Sequence, residues 1–288
     1  HRTAFSTNIP SRLTFASGSY LSVQGAYKLQ DVYFDATGSI AGQPAVAIKS
    51  NVTFLGMIAL ATATDDGIYV DNGSLRADTI LVSGCGGAGL INGSGSILVT
   101  NLGCVSNTEQ GYLGLVQSQA TISTTCNISG NGDDGLELYL LASCTLTAPM
   151  TANYNIYGVR AGLSCVLTSN SSVTASNNTT GGLVVSMQAS ISFDTVALTN
   201  NGTHGINNYG GSVIVQAGGS ITGHTNGLFA LSQAIINVLG VTTGTNTNAA
   251  VAQRGSFIDL LSVPAAGYIG VRSPAVNTVG NQNSYIAQ

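Results

Sequence analysis

The chain of 288 residues reads as all-β: a right-handed parallel β-helix (solenoid) with about 22–23 residues per coil and three short strands per coil. Two observations predict this. First, a glycine followed by a branched apolar residue recurs at Gly67-Ile68, Gly89-Leu90, Gly114-Leu115, Gly135-Leu136, Gly158-Val159, Gly182-Leu183, Gly205-Ile206 and Gly227-Leu228, with Ala250-Val251 as a weakened ninth. The intervals between successive glycines are 22, 25, 21, 23, 24, 23 and 22, a period that belongs to stacked repeats. Second, short runs between the glycines alternate apolar and polar residues, and no stretch carries a helical period. Residues 182–204 hold three such runs, Leu183 to Ser186, Ala189 to Phe193 and Thr195 to Leu198, before an Asn-Gly turn. A left-handed solenoid of hexapeptides would repeat at about 18 residues, and that period is absent.

The register assigns a role to each position. The residue after the glycine points inward and stacks on its copies about 4.8 Å above and below. The glycine itself meets either a positive φ or a neighbouring rung too close for a Cβ. Four residues earlier Asn recurs at Asn131, Asn178, Asn201 and Asn246, interrupted by Ala63, Cys85, Gln110, Tyr154 and Gly223, which suggests laddered side-chain amides in a turn. Two residues past the glycine, Tyr69, Ile91, Val116, Glu137, Arg160, Val184, Asn207 and Phe229 alternate outward. Glu137 and Arg160 thus stand on adjacent rungs as an ion pair. The apolar members, Ile91, Val116, Val184 and Phe229, form a stripe that self-association would cover.

The regular register starts at Ala45-Val46, so the chain divides into an N-terminal cap with irregular first rungs at 1–44, a regular β-helix at 45–255, and a last rung with a C-terminal cap or oligomer contact at 256–288. Gly270-Val271 reads as the last rung, and Phe257 to Leu261 as an apolar run that buries one end.

Composition narrows the function classes. Only 7% of residues are charged, so Ser, Thr, Asn and Gly supply the polar surface, as suits an exposed extracellular or virion protein. The net charge of −4 and eight scattered basic residues exclude electrostatic nucleic-acid binding. No apolar run is long enough for a membrane-spanning helix. The five cysteines, at 85, 104, 126, 144 and 165, form no CxxC pair and read as stacked core thiols, with Cys144 and Cys165 at matching places in consecutive coils. His204 and His224 lack a nearby carboxylate, so neither a metal nor any cofactor is expected.

The carboxylates are the candidate catalytic groups, because paired carboxylates cleave glycosidic bonds. Asp65-Asp66 and Asp133-Asp134-Glu137 occur in "DDGI" and "DDGL", the same turn three rungs apart, about 14 Å. The two groups therefore cannot act together. Asp133, Asp134 and Glu137 remain a candidate acid/base set, against the ordinary use of Asp in turns. Tyr69, Tyr112, Tyr139 and Tyr157, with Tyr154 and Tyr209, lie near turns or outward positions. Together with Glu137 and Arg160 they are candidates for a carbohydrate surface. Sequons such as Asn51-Val52-Thr53 are expected by chance in so Asn/Thr-rich a chain.

The segments "NISGNGDDGLEL", "SNNTTGGLVVSMQASI", "TNNGTHGINNYGGSV" and "TNGLFALSQAII" resemble the β-helix repeats of bacteriophage tail fibres and tailspikes, a pattern shared with pectate-lyase-like enzymes and secreted adhesins. The resemblance spans roughly 45–255. It implies a homotrimeric shaft on a virion surface, joined to other tail proteins and recognising a host cell-surface polysaccharide. It implies, as alternatives, a polysaccharide depolymerase or a secreted bacterial adhesin. "NGDDGLEL" and "THGINN" also resemble polygalacturonase segments, but that family sets the two about one coil apart, whereas Asp134 and His204 are about three coils apart. No family catalytic residue carries over.

Overall fold

The computed structural model describes residues 11–261, 271–273 and 284–287; His1, Gly270 and most of the expected C-terminal cap lie outside them. The described residues contain strands and no helix, and two parallel sheets, one of 16 strands and one of 12, stack as a β-solenoid of about 11 turns. Each turn contributes a short strand to the 12-stranded sheet, such as Ile68–Val70, Leu136–Leu138 or Gly181–Ser186. A longer strand, such as Ser74–Ser83 or Val166–Ser176, joins the other sheet. Parallel pairing already holds at the first described strand, where Ser11–Thr14 pairs with Val32 to Asp35.

The three runs expected per coil are present, but two of them share one bent sheet. In Ser74–Ser83 the buried residues are Leu75 and Ala77, then Ile80 and Val82, so the alternation slips by one residue mid-strand. That slip lets both halves face the core across a bend. Paired strands shift register at the same level, between Phe54 and Met57, Ile122 and Thr125, and Ser169 and Ser172. In three coils the halves separate outright, as in Ser143–Leu146 followed by Met150–Thr151.

Pairing corrects the glycine register at two coils. Leu90 pairs with Tyr112 and Tyr112 with Leu136, so the repeat glycine there is Gly111, not Gly114. Leu228 pairs with Ala250, so the ninth position is Ala249. The spacings become 22, 22, 24, 23, 24, 23, 22 and 22. Both apparent irregularities vanish. The inward column is then Ile68, Leu90, Tyr112, Leu136, Val159, Leu183, Ile206, Leu228 and Ala250, each 0% exposed. Val116 leaves the outward column, where Leu113 replaces it.

The ladder glycines are required by close approach, not by positive φ. A Cβ on Gly67 would lie 2.4 Å from the Gly89 carbonyl oxygen, and on Gly135, Gly158 and Gly182 it would lie 2.6, 2.8 and 2.8 Å from the next rung's carbonyl. The same absent Cβ makes room for an amide, since Asn107, Asn131, Asn155, Asn178, Asn201 and Asn246 each place Nδ2 within 2.9 Å of that point on the glycine one rung below.

These amides form a longer ladder than the sequence spacing suggests, because Asn107 lies four residues before the corrected Gly111 and Asn155 only three before Gly158. Asn131 Oδ1 accepts from the Asn107 backbone N–H at 3.1 Å and from its Nδ2 at 3.0 Å. Asn131 Nδ2 donates to Asn155 Oδ1 at 3.2 Å. Asn155 Oδ1 also accepts from the Asn131 N–H at 2.9 Å, and its Nδ2 donates to the Ile128 carbonyl at 3.1 Å. His224 takes one rung of the ladder, its ring nitrogens 2.8 Å from the Asn201 carbonyl and 3.1 Å from that of Leu198.

All five cysteines are buried free thiols. Burial pushes Cys85 and Cys144 up to about 12, and raises Cys165 as well. Cys165 does not match Cys144, which pairs with Leu167 while Ala142 occupies the place next to Cys165.

Asn155→Ala removes the acceptor of the Asn131 backbone N–H and the side-chain donor to the Ile128 carbonyl, both inside the wall. At about 1–3 kcal/mol for each unpaired group, the variant loses about 2–6 kcal/mol in chemical unfolding. Thr147→Ala, on the exposed outer face, changes stability by less than about 0.5 kcal/mol in the same measurement.

Candidate functional site

The 12-stranded sheet has few register shifts, so its outward side chains line up in straight columns. One column, just before the ladder glycine, runs Asp66, Ala88, Gln110, Asp134, Tyr157, Gly181, His204 and Asn226. The next runs Tyr69, Ile91, Leu113, Glu137, Arg160, Val184, Asn207 and Phe229. A third includes Tyr139, Gly162, Ser186 and Tyr209. Asp66, Asp134 and Glu137 therefore share one face with Tyr69, Tyr139, Tyr157, Tyr209 and Phe229. The outer face of the long-strand sheet is mainly Ser, Thr and scattered aliphatic residues, such as Thr121, Thr145 and Thr168.

Three tyrosines on this face lie against glycines one rung away. A Cβ on Gly93 would meet Tyr69 Oη at 2.4 Å, one on Gly181 would meet Tyr157 Cδ1 at 3.3 Å, and one on Gly162 would meet Tyr139 Cδ2 at 3.9 Å. The glycines leave space for each ring to lie along the solenoid. Tyr139 is exposed, while Tyr69 and Tyr157 are half-buried. Tyr112 is not part of this surface: it is wholly buried in the inward column, with its hydroxyl 3.4 Å from Asn92 Nδ2. Tyr154 is exposed in a turn beside the amide ladder, away from the three columns.

Asp133, Asp134, Glu137 and Arg160 come together, with a fifth residue that spacing did not disclose. Gln110 Nε2 donates to Asp133 Oδ2 and to Glu137 Oε2, both at 3.0 Å. Arg160 Nη1 stands 3.6 Å from Asp134 Oδ2 and 3.7 Å from Glu137 Oε1, and its guanidinium lies over the Tyr157 ring, 6.0 Å from the centroid. The expected Glu137–Arg160 pair is therefore one edge of a larger network. Gln110 became identifiable only once Gly111 was recognised as the ladder glycine.

The carboxylates differ in accessibility. The Asp134 side chain is 0% exposed, Glu137 is 15% exposed and Arg160 is 46% exposed. Neither Asp134 oxygen has a hydrogen-bond partner at full geometry. Burial, then the charges of Asp133 and Glu137, raise the Asp134 pKa to about 7 against the pull of Arg160 and the Tyr157 amide. Burial also raises Glu137, opposed by Arg160. In the matching turn three rungs below, Asp65 Oδ2 accepts from the Gly42 N–H at 2.7 Å and Asp66 Oδ1 from the Ala88 N–H at 2.9 Å, so that pair serves as turn former. Between the two turns, burial and the neighbouring Asp66, Asp65 and Asp133 raise Glu109.

The two histidines do not stack on each other: His224 lies in the amide ladder, and His204 packs against Phe229 with ring centroids 5.2 Å apart. Asp134 and His204 occupy one column three rungs apart, too far for a shared reaction centre. Among the described residues no group of three or more His, Cys, Asp or Glu is placed to hold a metal ion. Of the outward apolar residues, Ile91 and Val184 are covered by neighbours within the chain, so the expected apolar stripe is not an exposed one. Comparison of the chain with family models, curated proteins and solved structures finds no match.

The raised Asp134 pKa has a defined sign. Between 3.8 and about 7 the folded chain holds a proton that the unfolded chain has released. This contribution to stability is therefore full below about pH 4 and lost as pH rises toward 7, with a ceiling of about 4 kcal/mol. Asp134→Asn should flatten the fall in melting temperature between pH 4 and 7 and be the more stable protein at pH 8. An unchanged pH profile in thermal unfolding would contradict this assignment.

Proposed function

We propose that the chain is the shaft of a virion tail fibre or tailspike, a structural and receptor-binding protein that holds a host cell-surface polysaccharide along its short-strand face. The observation that carries the reading is the set of tyrosines laid against glycines, Tyr69 on Gly93, Tyr157 on Gly181 and Tyr139 on Gly162. Rings lying along an elongated face offer apolar platforms for sugar rings, and the network of Gln110, Glu137 and Arg160 beside them supplies donors and acceptors for hydroxyl groups. Rungs about 4.8 Å apart repeat that offer along the axis, as an extended polymer requires. The fully buried Asp134 has no surface with which to touch a substrate, which favours binding over hydrolysis by the Asp133-Asp134 pair.

One observation favours depolymerase activity as the second reading. Asp133 and Glu137 accept from the same Gln110 nitrogen at 3.0 Å each, so these oxygens lie no more than about 6 Å apart, within reach of the separation of roughly 5–5.5 Å used by retaining glycosidases. In that reading Glu137, its pKa raised by burial, is the general acid/base and Asp133 the nucleophile.

The shaft assembles as a homotrimer with parallel axes. Support comes from exposed apolar side chains at the turn after the short strands, Val116 with Leu140 and Leu141 on neighbouring rungs and Met187 two rungs further along.

Binding of the purified chain to capsular polysaccharide and lipopolysaccharide extracts tests the first reading. Tyr139→Ala with Tyr157→Ala is expected to weaken binding at least tenfold while leaving the melting temperature within a few degrees. Release of reducing ends by the wild type, abolished by Glu137→Gln, would instead establish the depolymerase.

Sedimentation equilibrium tests assembly separately. A mass three times the 29.1 kDa of one chain is expected. Leu141→Asp with Met187→Asp should dissociate it, and a stable wild-type monomer would sink the trimer.

A further inference from the structure

The short-strand face carries a second polar group that the Glu137 network leaves unused. Asn207 points outward on strand His204–Tyr209, yet it is 5% exposed. Three rings stand around it: Phe229 on the next rung, with His204 at 5.2 Å and Tyr209 at 6.3 Å between centroids. Asn207 Nδ2 donates to Tyr209 Oη at 3.1 Å, but Oδ1 is buried with no donor in the chain. Buried acceptors without partners are rare, and one on a solvent-facing column asks for a donor from outside.

The rung below is low. On this face it carries Gly181, against which the Tyr157 ring lies, with Val184 and Ser186, between Arg160 on one side and His204, Asn207 and Tyr209 on the other. Its walls are two rungs apart, about 10 Å, room for a single pyranose ring.

We propose that this low rung is a subsite for one neutral sugar, which stacks on Tyr209 and donates a hydroxyl or acetamido N–H to Asn207 Oδ1. The proposal rests on the polysaccharide-binding reading and adds the class of sugar and its position. Tyr209 is 40% exposed, and sugar binding turns it aside to open the amide. A carboxylate or sulfate brought to Oδ1 would set acceptor against acceptor. The nearest cation on the face, Arg160, is already shared by Asp134 and Glu137. Burial and the neighbouring His224 hold the His204 pKa below its ordinary value, so His204 supplies no charge to an anionic sugar at neutral pH.

Saturation-transfer NMR on the whole chain tests this with three probes: cellotetraose, chitotetraose and tetragalacturonate. At least one of the two neutral probes is expected to bind and tetragalacturonate to stay silent. Asn207→Leu, which removes the acceptor, and Ser186→Phe, which fills the low rung away from Tyr157, should each weaken the neutral probe at least tenfold. Thr145→Ala, on the opposite sheet, should leave it unchanged. Thermal unfolding confirms that each variant folds, and the two variants act by different means, so misfolding of one leaves the other decisive. The subsite is overturned if both folded variants bind as the wild type does, if only tetragalacturonate binds, or if no probe binds. When the wild type still binds polysaccharide extracts through Tyr139 and Tyr157, any of these results removes the subsite and leaves the broader reading standing; loss of extract binding as well removes both.

Discussion

The whole structure depends on one missing atom per turn. At each ladder position from Gly67 to Gly227 a Cβ would come within 2.9 Å of the carbonyl oxygen of the next rung. No substitution can be accommodated there without parting two rungs, because the obstacle is backbone. The same gap admits the Asn side chain from the rung above, whose amide satisfies backbone groups that the tight corner leaves unpaired. Glycine and asparagine ladders are therefore one device. The glycine permits the close corner, and the asparagine repairs the hydrogen bonding that the corner disrupts. The ladder relaxes at Ala249, where a Cβ is present. The pairing beyond it shifts register between Asn248 and Ala250.

This corner controls the chemistry of the outer face. Because the short strand starts directly after the glycine, its outward residues are held at the same angular position in every coil, and columns form without further specification. A carboxylate, an arginine and a glutamine distant in sequence thus meet on adjacent rungs. The long-strand sheet, which absorbs differences in coil length through its bulges, has no comparable constancy. The face best suited to a periodic ligand is the one that the corner keeps in register.

The period, the absence of helices and most of the inward column were legible in the sequence because stacking demands the same residue type at the same place. The misreading at Gly114 shows the limit. Both Gly111-Tyr112 and Gly114-Leu115 offer a glycine before an apolar residue, and the branched-aliphatic rule preferred the wrong one. A tyrosine fits the core there because Asn92 meets its hydroxyl from a neighbouring rung, a compensation invisible in either segment alone. Asn155 and His224 were hidden for a related reason: a residue of slack between amide and glycine moves the ladder off a fixed spacing. At the site, charged residues declared themselves by type. Gln110, Asn207 and the glycines under the tyrosines did not, since their roles come from neighbours a full coil away along the chain.

The turn after the short strands shows how far such neighbours can override local preference. Leu140 and Leu141 have φ of 54° and 65°, Met187 and Gln188 50° and 65°, and Ser232 and Gln233 61° and 64°. Paired positive φ values are ordinarily the province of Gly and Asn, and a leucine there costs about 1–2 kcal/mol. Gly210 occupies the equivalent place in one coil, so the conformation belongs to the position and not to the residue. Each turn is bonded to the next: Gln117 N–H to the Leu140 carbonyl, Leu141 to Leu163, Ser164 to Met187, and Gln188 to Gly210. A stack of identical turns fixes any single one more firmly than its own side chains can oppose. The large apolar side chains kept there are exposed and held at positive φ, so the stack of bonded turns, and not their own burial, fixes their conformation.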